Sequence, residues 1–216
     1  MYRPQAFRID EPQHLHRLIR EHALGLLVVA LDGTLEASHV PVLLDADADA
    51  PHAALRFHLA RANPLAAALD GTREALFVFQ AEQAYVSPDW YQSEHMVPTW
   101  NYAAVHAYGR PAPLDDVALQ RLLGDLSAAQ ESRLDKPAWT TDKMPEDLYA
   151  RMRRAIAGFR MPLTRIEGKW KMSQNRVDAD RRGVIDALAA LDAPAAQATA
   201  QVMRDVLERE AADRPQ

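Results

Sequence analysis

Extended segments follow one another almost without interruption through the first half of this 216-residue chain, and their order constrains the fold more than any single motif. "LGLLVVALDG" and "TLEASHVPVLLD" meet across Asp32 and Gly33, a dipeptide suited to the tight turn of a hairpin. "LRFHLA" follows the acidic loop "DADADAPHA", and "EALFVFQAEQAYVSP" reads as two more strands joined tightly. The proline-bounded run "MVPTWNYAAVHAYGRP", residues 96–111, alternates as a strand does, yet it opens on Thr99, Trp100 and Asn101 in succession. "MPLTRIEGKWKMSQN" adds a further strand and turn. Helical spacing is confined to "EPQHLHRLIREH" and a short turn in "NPLAAALDG" early on, then to "LDDVALQRLLGDLSAAQES", "PEDLYARMRRAIAGF" and the last 39 residues. About six strands with few, mostly late helices predict a mainly β fold with helices, an antiparallel barrel in preference to a sandwich, and argue against alternating βαβ units.

Composition narrows the chemistry. With hydrophobic residues at 48% and charged residues at 25%, the chain has the make-up of an ordinary globular protein with a real interior. It has no cysteine, which removes disulfides, thiolate metal sites, iron–sulfur clusters and thiol nucleophiles. The longest apolar run, "ALGLLVVAL", is well short of the ~20 residues of a membrane span, and "MYRPQAFRIDEP" lacks the plan of a signal peptide. The expectation is a cytoplasmic protein with no membrane partner. A net charge of −5 speaks against an extended nucleic-acid footprint and leaves room for a local basic patch.

Several polar groups remain to be explained. Ser38 and His39 are neighbours on a strand and point to opposite faces, so they cannot act as a hydrolase's nucleophile and base. Pro41 is expected to interrupt pairing beside His39 and leave backbone groups for a planar ligand, the alternative being an edge strand with a surface histidine. In "LRFHLARANP", Leu55, Phe57 and Leu59 alternate toward a core, while Arg56 and His58 take the other face. Arg61 and Asn63, at a strand-to-helix junction before Pro64, suit a phosphate, and Asn63 equally suits a helix cap. No metal motif occurs, although His39, His58 or His106 could serve as an axial haem ligand. In "RIEGKWKMSQNRVDADRRG", strand alternation would put Lys169, Lys171 and Ser173 on one face to meet an anionic or polar group, with Trp170 and Met172 on the other. An exposed basic edge is the other reading of those lysines.

Taken together, "MYRPQAF", "SHVP", "HLARANP", "YVSPDWY", "VPTWNYAAVHAYG" and "EGKWKMSQNR" resemble the PaiB-like family of FMN-binding split-barrel proteins, regarded as negative transcriptional regulators. The resemblance covers roughly residues 1–192 and leaves an Ala-rich helical tail, 193–216, outside it. It implies a split β-barrel, related to pyridoxamine-phosphate oxidase-like and flavin reductase-like barrels, with a helical C-terminal portion and a homodimer holding FMN at the subunit interface. Under it, Ser38, His39, Val40 and Pro41 line the flavin, and His58, Ala60, Arg61 and Asn63 lie near the ribityl phosphate. Thr99, Trp100 and Asn101 approach the ring, and Lys171, Ser173, Gln174, Asn175 and Arg176 complete the site. No separate general acid or base stands out, so any chemistry would be the cofactor's, and enzymatic activity stays an open question. The alternatives are a flavin-dependent oxidoreductase using NAD(P)H and a haem-binding or haem-degrading split-barrel protein. No pair of helices resembles a recognition helix-turn-helix, which speaks against direct DNA contact and leaves a regulatory protein as the other partner.

Overall fold

The computed structural model describes residues 1–46 and 49–212. Positions 47–48 of the acidic loop and 213–216 of the expected tail lie outside the described residues. A 3-10 turn, Gln5–Phe7, leads into strand β1 (Arg8–Ile9) and helix α1 (Pro12–Glu21), followed by β2 (Leu24–Leu31), β3 (Thr34–Asp45) and β4 (Ala54–Ala60). Helix α2 (Pro64–Ala68), β5 (Ala75–Val86), a 3-10 turn (Pro88–Trp90), β6 (Thr99–Gly109) and β7 (Ala112–Pro113) come next. Helix α3 (Asp116–Glu131), a 3-10 turn (Thr141–Lys143), α4 (Glu146–Arg154), β8 (Ile156–Lys171), α5 (Asp178–Ala190) and α6 (Pro194–Ala212) complete the chain. The eight strands form one sheet of order β1-β8-β4-β3-β2-β5-β6, with β7 beside β8.

The hairpin between β2 and β3 is built as expected: Asp32 (φ 50°) and Gly33 (φ 84°) both take positive φ, matching the twist of the two strands. Two expectations are corrected. "EALFVFQAEQAYVSP" holds a single 12-residue strand, because Gln80 to Gln83 contain no residue that favours a turn and the backbone stays extended. The segment after Arg154 is strand where a helix is expected, because Ile156 to Pro162 pair along β4, from Ala60 to Ala54. The two-residue strands β1 and β7 carry no alternation and are invisible to a pattern search.

The chain divides into two compact units. Unit 1 comprises Met1–Leu15, Gln80–Val105 and Glu167–Gln216, and unit 2 comprises His16–Phe79 and His106–Ile166. In unit 2 the core is aromatic: Phe57 meets Phe77 edge-on at 5.0 Å and stacks on Phe159 at 5.5 Å. Helix α3 covers a second cluster through Leu119, Leu122 and Leu126, and this buried stripe carries the helix through Gly124. In unit 1, α5 and α6 pack together, burying Val184, Ile185 and Leu188 from one and Ala200, Met203 and Leu207 from the other. The Ala-rich helix is therefore part of this unit's interior. Gly168 pairs with Ile9, and a Cβ there would lie 2.8 Å from the Ile9 carbonyl oxygen as well as against the Leu15 side chain, so the close approach requires glycine.

Candidate functional site

The sixteen expected site residues divide eight and eight between the units. In unit 2 the relevant junction is where β4 ends and α2 begins. Asn63 caps α2, its Oδ1 accepting from the Leu65 N–H at 3.0 Å, while its Nδ2 donates to Ser38 Oγ at 3.0 Å. Arg61 donates from Nε to the Arg154 carbonyl at 3.0 Å, and its backbone N–H donates to the Ala155 carbonyl at 2.8 Å. Ser38 and Asn63 are thus brought together, and Arg61 ties the junction to the end of α4. Asn63 is spent on the helix start and on Ser38, while Arg61 commits only its Nε and keeps its other side-chain donors.

The remaining unit 2 residues fall around that junction. The β3 ladder to β2 runs through His39 and Val40 to Pro41, and β4 takes over from Val42, so proline marks a handover between partners and not a gap in pairing. Val40 is buried, while His39, Pro41 and Ala60 are exposed. On β4 the expected alternation holds, with Leu55, Phe57 and Leu59 buried and Arg56 bound to Asp45 and Asp125. His58 shares that face, its Nδ1 is buried with no hydrogen-bond partner, and burial pushes its pKa down. Among the described residues no group of three or more His, Asp or Glu side chains could hold a metal ion.

Unit 1 gathers its residues around the end of β8. Lys171, the last strand residue, donates from Nζ to Thr99 Oγ1 at 2.5 Å and to the Trp100 carbonyl at 2.6 Å. Burial, then the positive charges of Lys169 and Arg176, push its pKa down. The strand stops here, because Ser173 turns into the left-handed region at φ 63°, so the alternation expected to continue through Ser173 ends at Lys171. A buried hydrogen-bond pair holds that unfavourable backbone: Ser173 Oγ accepts from Asn101 Nδ2 at 3.0 Å and donates to Asn101 Oδ1 at 3.2 Å. Asn101 also donates to Met203 Sδ on α6 at 3.2 Å. Gln174 folds back, accepting from the Met172 N–H and donating to the Trp170 carbonyl, both at 2.7 Å.

The result is a small pocket of about 170 Å³ lined by Phe7, Tyr91, Val97, Pro98, Thr99, Lys171, Ser173, Asn175 and Arg176. Asn101, fully buried, and Gln174 brace it from outside the lining. Trp100 is half-exposed and meets the Tyr85 ring edge-on at 6.1 Å. Sequence reasoning reaches the polar half of this pocket and misses the apolar half. Phe7 and Tyr91 sit inside "MYRPQAF" and "YVSPDWY", but nothing in their spacing marks them as lining a pocket. It misses Asp180 as well, whose carboxylate accepts from the Gln92 and Ser93 N–H groups and from Ser93 Oγ, each at 2.8 Å. Burial would raise the pKa of Asp180, but these bonds outweigh it and hold the group below the usual carboxylate range.

The chain is similar to known proteins. A family model described as "Putative FMN-binding domain" matches residues 1–165. The chain is 31% identical over 211 residues to "Protease synthase and sporulation protein PAI 2" of Bacillus subtilis, covering 97% of this chain and all of that one. An uncharacterized protein of Emericella nidulans is 31% identical over 229 residues, covering 88% of this chain and 91% of that one. Among solved structures, the flavocytochrome Anf3 from Azotobacter vinelandii superposes with a TM-score of 0.56 at 14% identity, over 92% of this chain and 78% of its own. The FAD and heme binding protein from Mycobacterium smegmatis gives 0.54 at 15% identity, over 76% and 73%. At these identities the likenesses speak for the fold, an antiparallel sheet with helices of the flavin split-barrel class.

Proposed function

The chain belongs to the FMN-binding domain family, with FMN as its cofactor, and on that premise we propose that it is a homodimeric, PaiB-like negative regulator of transcription acting in the cytoplasm. The observation that carries the regulatory reading is the 31% identity to PAI 2 of Bacillus subtilis along its whole length, since that protein's name ties it to protease synthesis and sporulation. The chain's own residues fit a flavin nucleotide. Within unit 1, Lys171 and Arg176 offer positive charge, Thr99, Ser173 and Asn175 offer polar contacts, and Phe7 and Tyr91 offer flat apolar surface. Within unit 2, Ser38, His39, Val40 and Pro41 on β3 and His58, Ala60, Arg61 and Asn63 at the end of β4 are the contacts we assign. At about 170 Å³ the unit 1 pocket is smaller than the ~300 Å³ lower bound for small-molecule sites, so it takes one part of the nucleotide.

When bound, FMN supplies redox chemistry or a redox-sensitive shape, and the protein contributes binding and orientation. Repression operates through a partner protein, consistent with helices α3 and α4 being separated by 14 residues in place of the tight turn of a DNA-reading pair. The test is genetic. Deleting the gene raises target transcripts, wild-type protein restores repression, and a variant unable to hold FMN does not. Transcripts that do not change on deletion would remove the regulatory reading.

A further inference from the structure

We infer that the unit 1 pocket is a built seat for a single anionic oxygen group, a phosphate or a carboxylate. Lys171 has three N–H donors, and Thr99 Oγ1 and the Trp100 carbonyl take two, leaving one for a ligand. Arg176 lines the same pocket, its guanidinium carbon 5.8 Å from the Tyr91 ring centre, and Lys169 lies on the same strand, 5.3 Å from the Tyr102 ring centre. None of these three cations forms an ion pair among the described residues, and no carboxylate lines the pocket. The acidic group that does feel Arg176, Asp180, has its oxygens committed to Gln92 and Ser93. Asp180 offsets part of the Arg176 charge, but Lys171, Lys169 and Arg176 together leave an excess of partly buried positive charge, and an incoming anion relieves it.

The size agrees with the charge. About 170 Å³ is several times the ~30 Å³ share of one water, enough for an oxyanion and well short of a drug-sized ligand. Ser173 and Asn175 add polar groups beside the cations, and the Asn101 brace fixes the turn that presents them. The seat uses residues assigned above to the flavin, yet its existence does not depend on that assignment. The anion can be the phosphate of FMN itself or an acidic group of a second molecule.

The test is the rise in melting temperature of apoprotein with inorganic phosphate, against chloride at matched ionic strength. Phosphate stabilises wild type beyond chloride, Lys171→Met and Arg176→Gln abolish the difference, and Lys171→Arg keeps it. Arg176 is half-buried and its side chain makes no hydrogen bond among the described residues, so its variant folds even where the Lys171 variant does not. Repeating the titration on FMN-loaded protein separates the sources: a lost effect makes the FMN phosphate the occupant, and a retained one makes it a second anion. Phosphate no better than chloride, or an unaltered effect in Arg176→Gln, overturns the inference. FMN binding is measured separately by flavin fluorescence, so a protein that binds phosphate but no FMN keeps the seat and loses the flavin reading.

Discussion

The two clusters of predicted ligands are built on opposite principles. At the β4–α2 junction of unit 2, Asn63 caps the helix and holds Ser38, and Arg61 is bound to the backbone at the end of α4. Around the end of β8 in unit 1, the amides and hydroxyls brace one another, while Lys171 and Arg176 form no ion pair among the described residues. Both stretches look ligand-ready as sequence. Half-buried cations held in place by braced neighbours have more to gain from a ligand than an exposed one, and a bracing residue can matter as much as the one it positions.

The largest expected effect comes from breaking the brace of unit 1. Asp180→Ala leaves the Gln92 and Ser93 N–H groups without their acceptor, and we expect a loss of about 3 kcal/mol in urea unfolding. Because the pKa of Asp180 is held down in the folded state, wild type keeps this contribution above the ordinary carboxylate range and loses it as the pH falls through the folded value, and the variant lacks that acid-dependent loss. Next, Arg176→Gln weakens FMN binding about tenfold, the size of one charge-assisted contact, as read by fluorescence titration. Arg61→Ala, in contrast, weakens FMN binding by no more than about threefold, because its side chain is exposed and its charge is screened by solvent. Equal losses in the two variants would erase the distinction between the clusters.

The smallest effect concerns His58. Burial lowers its pKa, so between the folded value and the ordinary imidazole value the unfolded chain binds more protons than the folded one. Stability therefore falls as the pH drops below the ordinary imidazole value. His16, also pushed down chiefly by burial, contributes with the same sign. His58→Leu flattens this dependence without abolishing it, which thermal melts across the mildly acidic range can read.

Much of this was legible in the residues. The alternation of Leu55, Phe57 and Leu59 gave the buried face of β4, and Asp32-Gly33 gave the hairpin, because both are local rules. The failures are non-local. Ile156 to Phe159 continue a helical composition and become strand only because β4 is there to pair with them. Nothing near Asn101 in sequence announces that Ser173 and Met203 will bury it, and nothing in "DADRRG" marks Asp180 as the acceptor for residues 87 and 88 positions away. Lys171 and Arg176 could be identified as anion-ready, but that no carboxylate lines the pocket beside them is a property of the folded unit.

Titration of FMN into the purified apoprotein, followed by flavin fluorescence and by the visible absorption of the flavin, decides whether this chain holds the cofactor. We expect saturable binding that is weakened more in Arg176→Gln than in Arg61→Ala. A colourless protein that takes up no FMN at any concentration tested would contradict it.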